Sequence, residues 1–394
     1  MDTVIIKIYG LTHVRILDRV EWLPELPRRR TYDDLTPTEK QSRHPCLRKF
    51  VHRPKREAYY QPKAELLETL SSDRRSVVYI LRLEFSIPKL LYGNSLQEAT
   101  EATKDDVVAA LRRGLSRIRL EITPEAIEGA TVSAVHFCKN IILPPDIRMR
   151  EVLKELARMD ISKAVDVMSK QFKNGGKVLN IYSGTIERSF YDKIADAHRP
   201  KNKRSDKKRV GRERGLIDHF DLQGREMFRY EYRIKMAQTV KRDINSALQR
   251  DKKESVVFAD LFAPELCKTV ILGSWRALTE RPENQLALLG TSDNLALLLH
   301  ILSKARERGS KAHTMNNALV AYGLACAARD HGAKEVRGSI VGLWNVDHPE
   351  RLTKKLQAAA ELTRGLPYSN CIAYIDAELH RFAHITRSTL ENVV

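Results

Sequence analysis

The chain has 394 residues and carries 68 lysines and arginines against 50 aspartates and glutamates, a formal net charge of +18. That length accommodates two or three domains, and that charge points to a polyanionic partner, nucleic acid ahead of an anionic membrane. The pattern reads against a bilayer-spanning segment, a signal peptide and a zinc ribbon or disulfide framework: no apolar run is long enough, "MDTVIIKIYGL" has no basic lead-in, and five cysteines lie scattered without C-x-x-C spacing.

In chain order, "TVIIKIYGL" at residues 3–11 reads as a β-branched strand. The proline-rich, basic stretch that follows, to about residue 75, reads as an arm that orders on nucleic acid or as a solvated linker. Strands and helices then alternate. "SVVYILRLEFSI" is a strand. "KDDVVAALRRGLSRIRL" is an amphipathic helix with Val107, Val108, Leu111, Leu115 and Ile118 on one side. "ATVSAVHFCKNIIL" is a strand ended by Pro144 and Pro145, and "DIRMREVLKELARM" a helix capped by Asp146. "NGG" at Asn174 to Gly176 signals a hairpin, and "KVLNIYSGTIERSFYDK" and "REMFRYEYRIK" are extended chain. This order predicts an α+β domain, helices packed on an antiparallel sheet. Beyond residue 236 the segments "MAQTVKRDINSALQR", "APELCKTVILGSWRAL", "SDNLALLLHILSKARERG", "HTMNNALVAYGLACAARDHG" and "ERLTKKLQAAAELTRG" all read as helices. The expected division is an N-terminal strand and basic arm (1–75), a mixed domain (76–245) and an all-α C-terminal domain (246–394).

Four constellations could carry chemistry. Tyr191 in "SFYDK" is either a packed aromatic or a nucleophile, which its ordinary pKa near 10 makes useful only beside a cation or metal. Lys193, two residues on, shares its face if the strand continues. Glu84 sits in an otherwise apolar strand, where a carboxylate needs a metal or an ion-pair partner such as Arg82. His136 stands mid-strand between Val135 and Phe137, a satisfied core residue or, with a carboxylate from a neighbouring strand, a metal ligand. In "FRYEYRIK", Arg229, Glu231 and Arg233 lie on one strand face, as a structural ladder or as a metal ligand between phosphate-holding arginines. The run from Arg199 to Arg214 carries nine basic residues and two acids; Arg199, Lys201, Lys203, Arg204, Lys207, Lys208 and Arg209 are candidate DNA contacts, or a solvated loop.

In this order, "LRLEFSIPKLLYGN", "TVSAVHFCKNI", "IYSG…RSFYDK" and "FRYEYRIK", with the later "FADLFAPELCKTVILGSW", resemble the rolling-circle replication initiators of the filamentous-phage gene II/X family and the related plasmid Rep_trans initiators. The resemblance spans roughly residues 76–280. It implies an HUH-like nuclease domain on an antiparallel sheet with flanking helices. It implies a tyrosine endonuclease and strand transferase that nicks one DNA strand, forms a 5′-phosphotyrosyl bond, leaves a 3′-OH and can rejoin ends. By motif, Tyr191 is the nucleophile and Lys193 the lysine of "Y-x-K". Glu84, His136 and Glu231 fall at the positions of the divalent-metal (Mg²⁺ or Mn²⁺) ligands, with His136 where many relatives have aspartate. Arg229 and Arg233 flank the last of them as phosphate contacts. The His-hydrophobic-His pair of the wider HUH enzymes is missing, as in this branch. Origin DNA, as hairpin or single strand, is the implied partner; a host helicase and polymerase, and a homodimer, fit the same picture, in a reducing cytoplasm.

Other readings stay open. A relaxase or transposase would share the chemistry, and a non-catalytic sequence-specific DNA-binding protein would share the charge. Tyr182, Tyr59 and Tyr60 are alternative nucleophiles. The C-terminal helices suit a helix-turn-helix, with His313, Asn316 and Asn317 near a helix start, or an oligomerisation surface.

Overall fold

A computed structural model of the chain describes residues 1–10, 12–16, 22–25, 28–42, 44–52, 60–99, 103–160, 168–173, 177–198, 215–222, 224–290, 293–309, 314–344 and 348–391. Its strands are β1 (Thr3–Tyr9), β2 (Val14–Ile16), β3 (Trp22–Pro24), β4 (Cys46–His52), β5 (Lys63–Leu70), β6 (Val77–Ser86), β7 (Leu120–Ile122), β8 (Thr131–Ile142), β9 (Met168–Lys173), β10 (Val178–Ser183), β11 (Ile186–Asp192) and β12 (Met227–Ile234). Ten of them form one sheet in the order β3-β4-β5-β6-β1-β8-β12-β11-β10-β9, while β2 and β7 pair separately. Every pairing is antiparallel. The α+β expectation with a large antiparallel sheet and C-terminal helices therefore holds.

Period-two alternation gives this sheet two unlike faces. On one, Val4, Ile6, Leu81, Leu83, Phe85, Val135, Phe137, Phe228 and Tyr230 are fully buried. They share a core with the apolar sides of helices Lys104–Ser116, Met149–Arg158, Ala237–Ala247, Leu266–Thr279 and Asn370–Arg381. Fully burying one such side chain contributes about 1.5–3 kcal/mol, so this face fixes the register. Phe190 stacks on Tyr230 with centroids 4.8 Å apart, and the Tyr230 hydroxyl donates to Ser274 Oγ at 2.7 Å. The other face carries the charged residues between these apolar ones.

A second core is all helical. It is built by Leu286, Leu297, Ile301, Ala325 and Leu356, among others, from helices Pro282–Ala287, Asn294–Arg308, Met315–His331, Ala333–Trp344 and Pro349–Leu362. It joins the sheet unit where Arg337 pairs with Asp160 at 3.2 Å and Arg158 donates to the Arg329 carbonyl at 3.0 Å. Helices Leu266–Thr279 and Asn370–Arg381, in the C-terminal part of the chain, belong to the sheet's core and not to this one.

Several local expectations are corrected. The segment read as an arm contains β3, β4 and β5, and β1 lies inside the sheet between β6 and β8. Asp146 does not cap its helix: the first helical residue is Met149, whose N–H donates to Glu226 Oε2 at 2.6 Å. "NGG" lies outside the described residues, and the strands on either side of it, β9 and β10, pair antiparallel. All five cysteines are free thiols. Among the described residues no helix is long and apolar enough to cross a membrane.

Candidate active site on the polar sheet face

One charged stretch of this face lies where β8, β12, β11 and β10 run side by side. Register sets Tyr191 opposite Arg229, Ser189 opposite Glu231, and Glu187 opposite Arg233. On the far side of β12, Arg229 faces Asn140, Glu231 faces Cys138 and Arg233 faces His136. Alternation then places all these side chains on one surface, opposite the main apolar core, with helix Lys193–His198 packed at its Met227 end.

They form a continuous chain of opposite charges. Arg229 pairs with Asp2 Oδ2 at 2.5 Å and with Glu231 Oε1 at 2.6 Å. Arg233 Nε donates to Glu231 Oε2 at 2.7 Å, and its NH1 pairs with Glu187 Oε1 at 2.8 Å. Lys235 closes the chain on Glu187 Oε2 and lies 5.4 Å from the centre of the Tyr182 ring. The Tyr191 hydroxyl joins at the middle, donating to Glu231 Oε1 at 2.6 Å.

Electrostatics follow from this packing. Burial favours the neutral form of Glu231, yet Arg229 and Arg233 outweigh it and hold the carboxylate well below its usual range. Burial, and then the Glu231 charge, push the Tyr191 phenol well above its ordinary value. Burial and the Arg233 guanidinium push the His136 imidazole down, which keeps it neutral. The phenol is thus a protonated donor aimed at a fixed anion.

The residues singled out from sequence fall into groups. Tyr191, Glu231 and Arg233 converge, with His136 one diagonal step from Glu231, roughly 7–8 Å between Cα atoms. Arg229 converges too, but its side chain is only 2 % exposed. It also donates to the Ser95 carbonyl at 3.0 Å and to Asn140 Oδ1 at 3.3 Å, so it supports Glu231 from below and presents no free donors to a phosphate at the surface. Arg233, 28 % exposed, is the arginine that solvent reaches.

Lys193 is buried and opens helix Lys193–His198, so the strand periodicity that would align it with Tyr191 stops at Asp192. Glu84 does not join the group. It lies on β6, three strands from β12, about 14 Å across the sheet at the usual spacing. There it pairs with Lys63 at 2.7 Å and Arg82 at 3.6 Å. Arg199, Lys201, Lys203, Arg204, Lys207, Lys208 and Arg209 lie outside the described residues, as do Tyr59 and His313.

Glu84, His136 and Glu231 are not brought to one point, and both Glu231 oxygens already accept bonds from Tyr191, Arg229 and Arg233. Among the described residues no group of three His, Cys, Asp or Glu side chains is arranged to hold a metal.

Two participants were missed in the sequence. Glu187 holds both Arg233 and Lys235; the period-two count that links Tyr191 to Ser189 reaches it next. Asp192 Oδ1 accepts the N–H groups of Ile194, Ala195 and Met227 at 2.9, 3.3 and 3.2 Å, tying the helix start and β12 to the residue after Tyr191. An aspartate immediately before a helix is the signal for such a cap.

No family model matches this chain, and no curated protein and no solved structure matches it.

Proposed function

We propose that the chain is a DNA-nicking and strand-joining enzyme of the replication-initiator type, with Tyr191 as nucleophile on an HUH-like nuclease sheet. The observation that carries this reading is the Tyr191 hydroxyl, held 2.6 Å from Glu231 on the polar side of the sheet and not among the aromatics of its core. A tyrosine that must meet a phosphodiester needs a charged face of this kind.

Glu231 aims the hydroxyl oxygen. Its carboxylate is a weak base because two arginines stabilise it, so it orients the phenol more than it draws off its proton. Arg233 is placed to neutralise charge on the phosphoryl oxygens as the Tyr191 oxygen bonds to phosphorus. The P–O3′ bond breaks, and the departing oxygen ends as a 3′-OH, so the phenol's proton is accounted for and no net charge is made. The phosphotyrosyl ester conserves the bond energy, which lets a free 3′-OH reverse the step.

The test is adduct formation on single-stranded DNA libraries, with Mg²⁺, Mn²⁺ or EDTA, resolved on a denaturing gel. A covalent adduct in the parent that Tyr191→Phe abolishes is expected. An adduct that survives Tyr191→Phe moves the nucleophile, with Tyr182 next, since it shares the polar face opposite Glu187. No adduct on a library containing the cognate origin sinks the enzyme and leaves a DNA-binding protein. The strand that reacts separates an initiator from a relaxase or transposase, and EDTA reads the cation requirement directly.

A further inference from the structure

A cavity of about 780 Å³ lies on the helical side of the sheet, away from Tyr191. Its walls are helix Lys104–Ser116 and the β2–β7 ribbon, and it is lined by His13, Arg15, Arg112, Arg113 and Ser116, with Glu121 as the single carboxylate among the described residues that line it. The apolar side of that helix, Val107, Leu111 and Leu115, packs in the same core as Val4 and Ile6, which fixes the cavity opposite the charged sheet face.

The arginines here differ from those on the polar sheet face. Arg82, Arg229 and Arg233 each have a carboxylate within 4 Å. Arg15, Arg112 and Arg113 are exposed, and among the described residues none has an ion pair, although Arg15 faces Glu121 across the ribbon. Arg112 is held by its Nε, which donates to the Ile122 carbonyl at 3.1 Å, leaving the outer edge of its guanidinium toward solvent. Arg119, exposed in the turn after the helix, extends the same surface. Glu121 opposite Arg15 and Glu125 near Arg112 and His13 offset part of this positive charge, and an anion bound in the concavity relieves the remaining repulsion.

We infer that this groove binds the phosphate backbone of duplex DNA, a second nucleic-acid site separate from the tyrosine. The inference rests on the proposed action on DNA for the identity of the polyanion. Guanidinium forks and a serine hydroxyl suit phosphate oxygens. Among the described residues no phenylalanine, tyrosine or tryptophan lines the groove, so these offer no stacking platform for unpaired bases. None of the large exposed apolar side chains lines it either, which disfavours insertion into a lipid surface. A backbone whose bases are paired away is the polyanion that remains.

The experiment is fluorescence anisotropy of a short random-sequence duplex with the full-length chain across a salt series. Arg15→Glu/Arg113→Glu is compared with Lys354→Glu/Lys355→Glu, an equal charge change at exposed positions of helix Pro349–Leu362. The groove pair should lose duplex affinity by on the order of tenfold or more, and its salt slope should fall by about 2, one for each phosphate that an arginine no longer neutralises. The lysine pair should stay near the parent. If both pairs weaken binding equally, or neither does, the groove is not the site. If the groove pair loses only binding to vesicles of anionic phospholipid, the partner is a membrane and the inference fails. Melting temperature checks folding, and Arg15→Gln/Arg113→Gln replaces the reversal if it unfolds. Adduct formation on single strands should persist in the groove variants, so an absent adduct in the parent counts against the tyrosine chemistry and not against the groove.

Discussion

The Tyr191 hydroxyl and the Glu231 carboxylate are joined by a 2.6 Å hydrogen bond between adjacent antiparallel strands, and Glu231 is gripped on both sides by arginine. The two residues contribute unequally. Tyr191 is one donor among several to Glu231, whereas Glu231 is the anion on which two guanidinium groups depend.

Truncating each partner should therefore have different costs. Tyr191→Phe removes one charge-assisted hydrogen bond and leaves Glu231 held by two arginines, so about 1.5–3 kcal/mol at most is lost. Glu231→Gln leaves two buried or half-buried cations short of an anion and should cost about 3–5 kcal/mol, tempered by Asp2 and Glu187. Urea melts of the two variants check this; equal losses would mean that the network is not organised around Glu231.

The raised pKa of Tyr191 sets the pH dependence of adduct formation. Burial and the Glu231 charge keep the phenol protonated well past its ordinary range. The phenolate fraction then grows about tenfold per pH unit from about pH 6 to 9, and the rate should rise with it. A plateau near neutrality in a single-turnover pH series would assign the nucleophile to a group of lower pKa.

How much of this was legible in the sequence depended on the range of the interaction. Arg229, Glu231 and Arg233 on one face follow from alternation within a single strand, and Tyr191 from the next. Which strands adjoin is a long-range property. β1 inserts between β6 and β8, and that insertion separates Glu84 from Glu231. β4 and β5 escaped notice because their outer side chains are charged and pair across strands, Lys49 with Glu65 at 3.2 Å and Lys63 with Glu84 at 2.7 Å, so neither reads as an apolar run. The burial of Arg229 depends on Asp2 and Ser95, far away in sequence.

Acid stability should draw on Glu98 as well as on Glu231. Its carboxylate is buried, accepts from Lys139 Nζ at 2.6 Å and from the Ile385 N–H at 3.1 Å, and ties the segment before helix Lys104–Ser116 to β8 and the C-terminal residues. Burial works against ionisation, but Lys139 and the surrounding donors bring its pKa down from 4.5 to about 2. A depressed carboxylate stabilises the fold above its unfolded pKa, and that stability is lost as pH falls from 4.5 toward about 2, on the order of 3 kcal/mol in all. Glu98→Gln should flatten this limb of the stability curve while lowering stability at neutral pH, because Lys139 keeps its charge in a site 2 % exposed. An unchanged acid limb in Glu98→Gln would place the titrating group elsewhere.

Two glycines around one helix should respond to alanine with opposite signs. Gly323 is exposed within helix Met315–His331, and a Cβ there meets nothing within 4 Å. Alanine at that position should stabilise by up to about 1 kcal/mol through helix propensity alone. Gly332 ends the same helix with φ +89°, and a Cβ would stand 2.4 Å from the Arg158 carbonyl oxygen. That close approach is where the helical core meets the sheet unit, beside the bond from Arg158 to Arg329. Gly332→Ala should cost about 1–3 kcal/mol from the backbone conformation and more from the displaced carbonyl. Thermal melts should move up for Gly323→Ala and down for Gly332→Ala. A Gly332→Ala protein as stable as the parent would show that the helical core does not seat against Arg158.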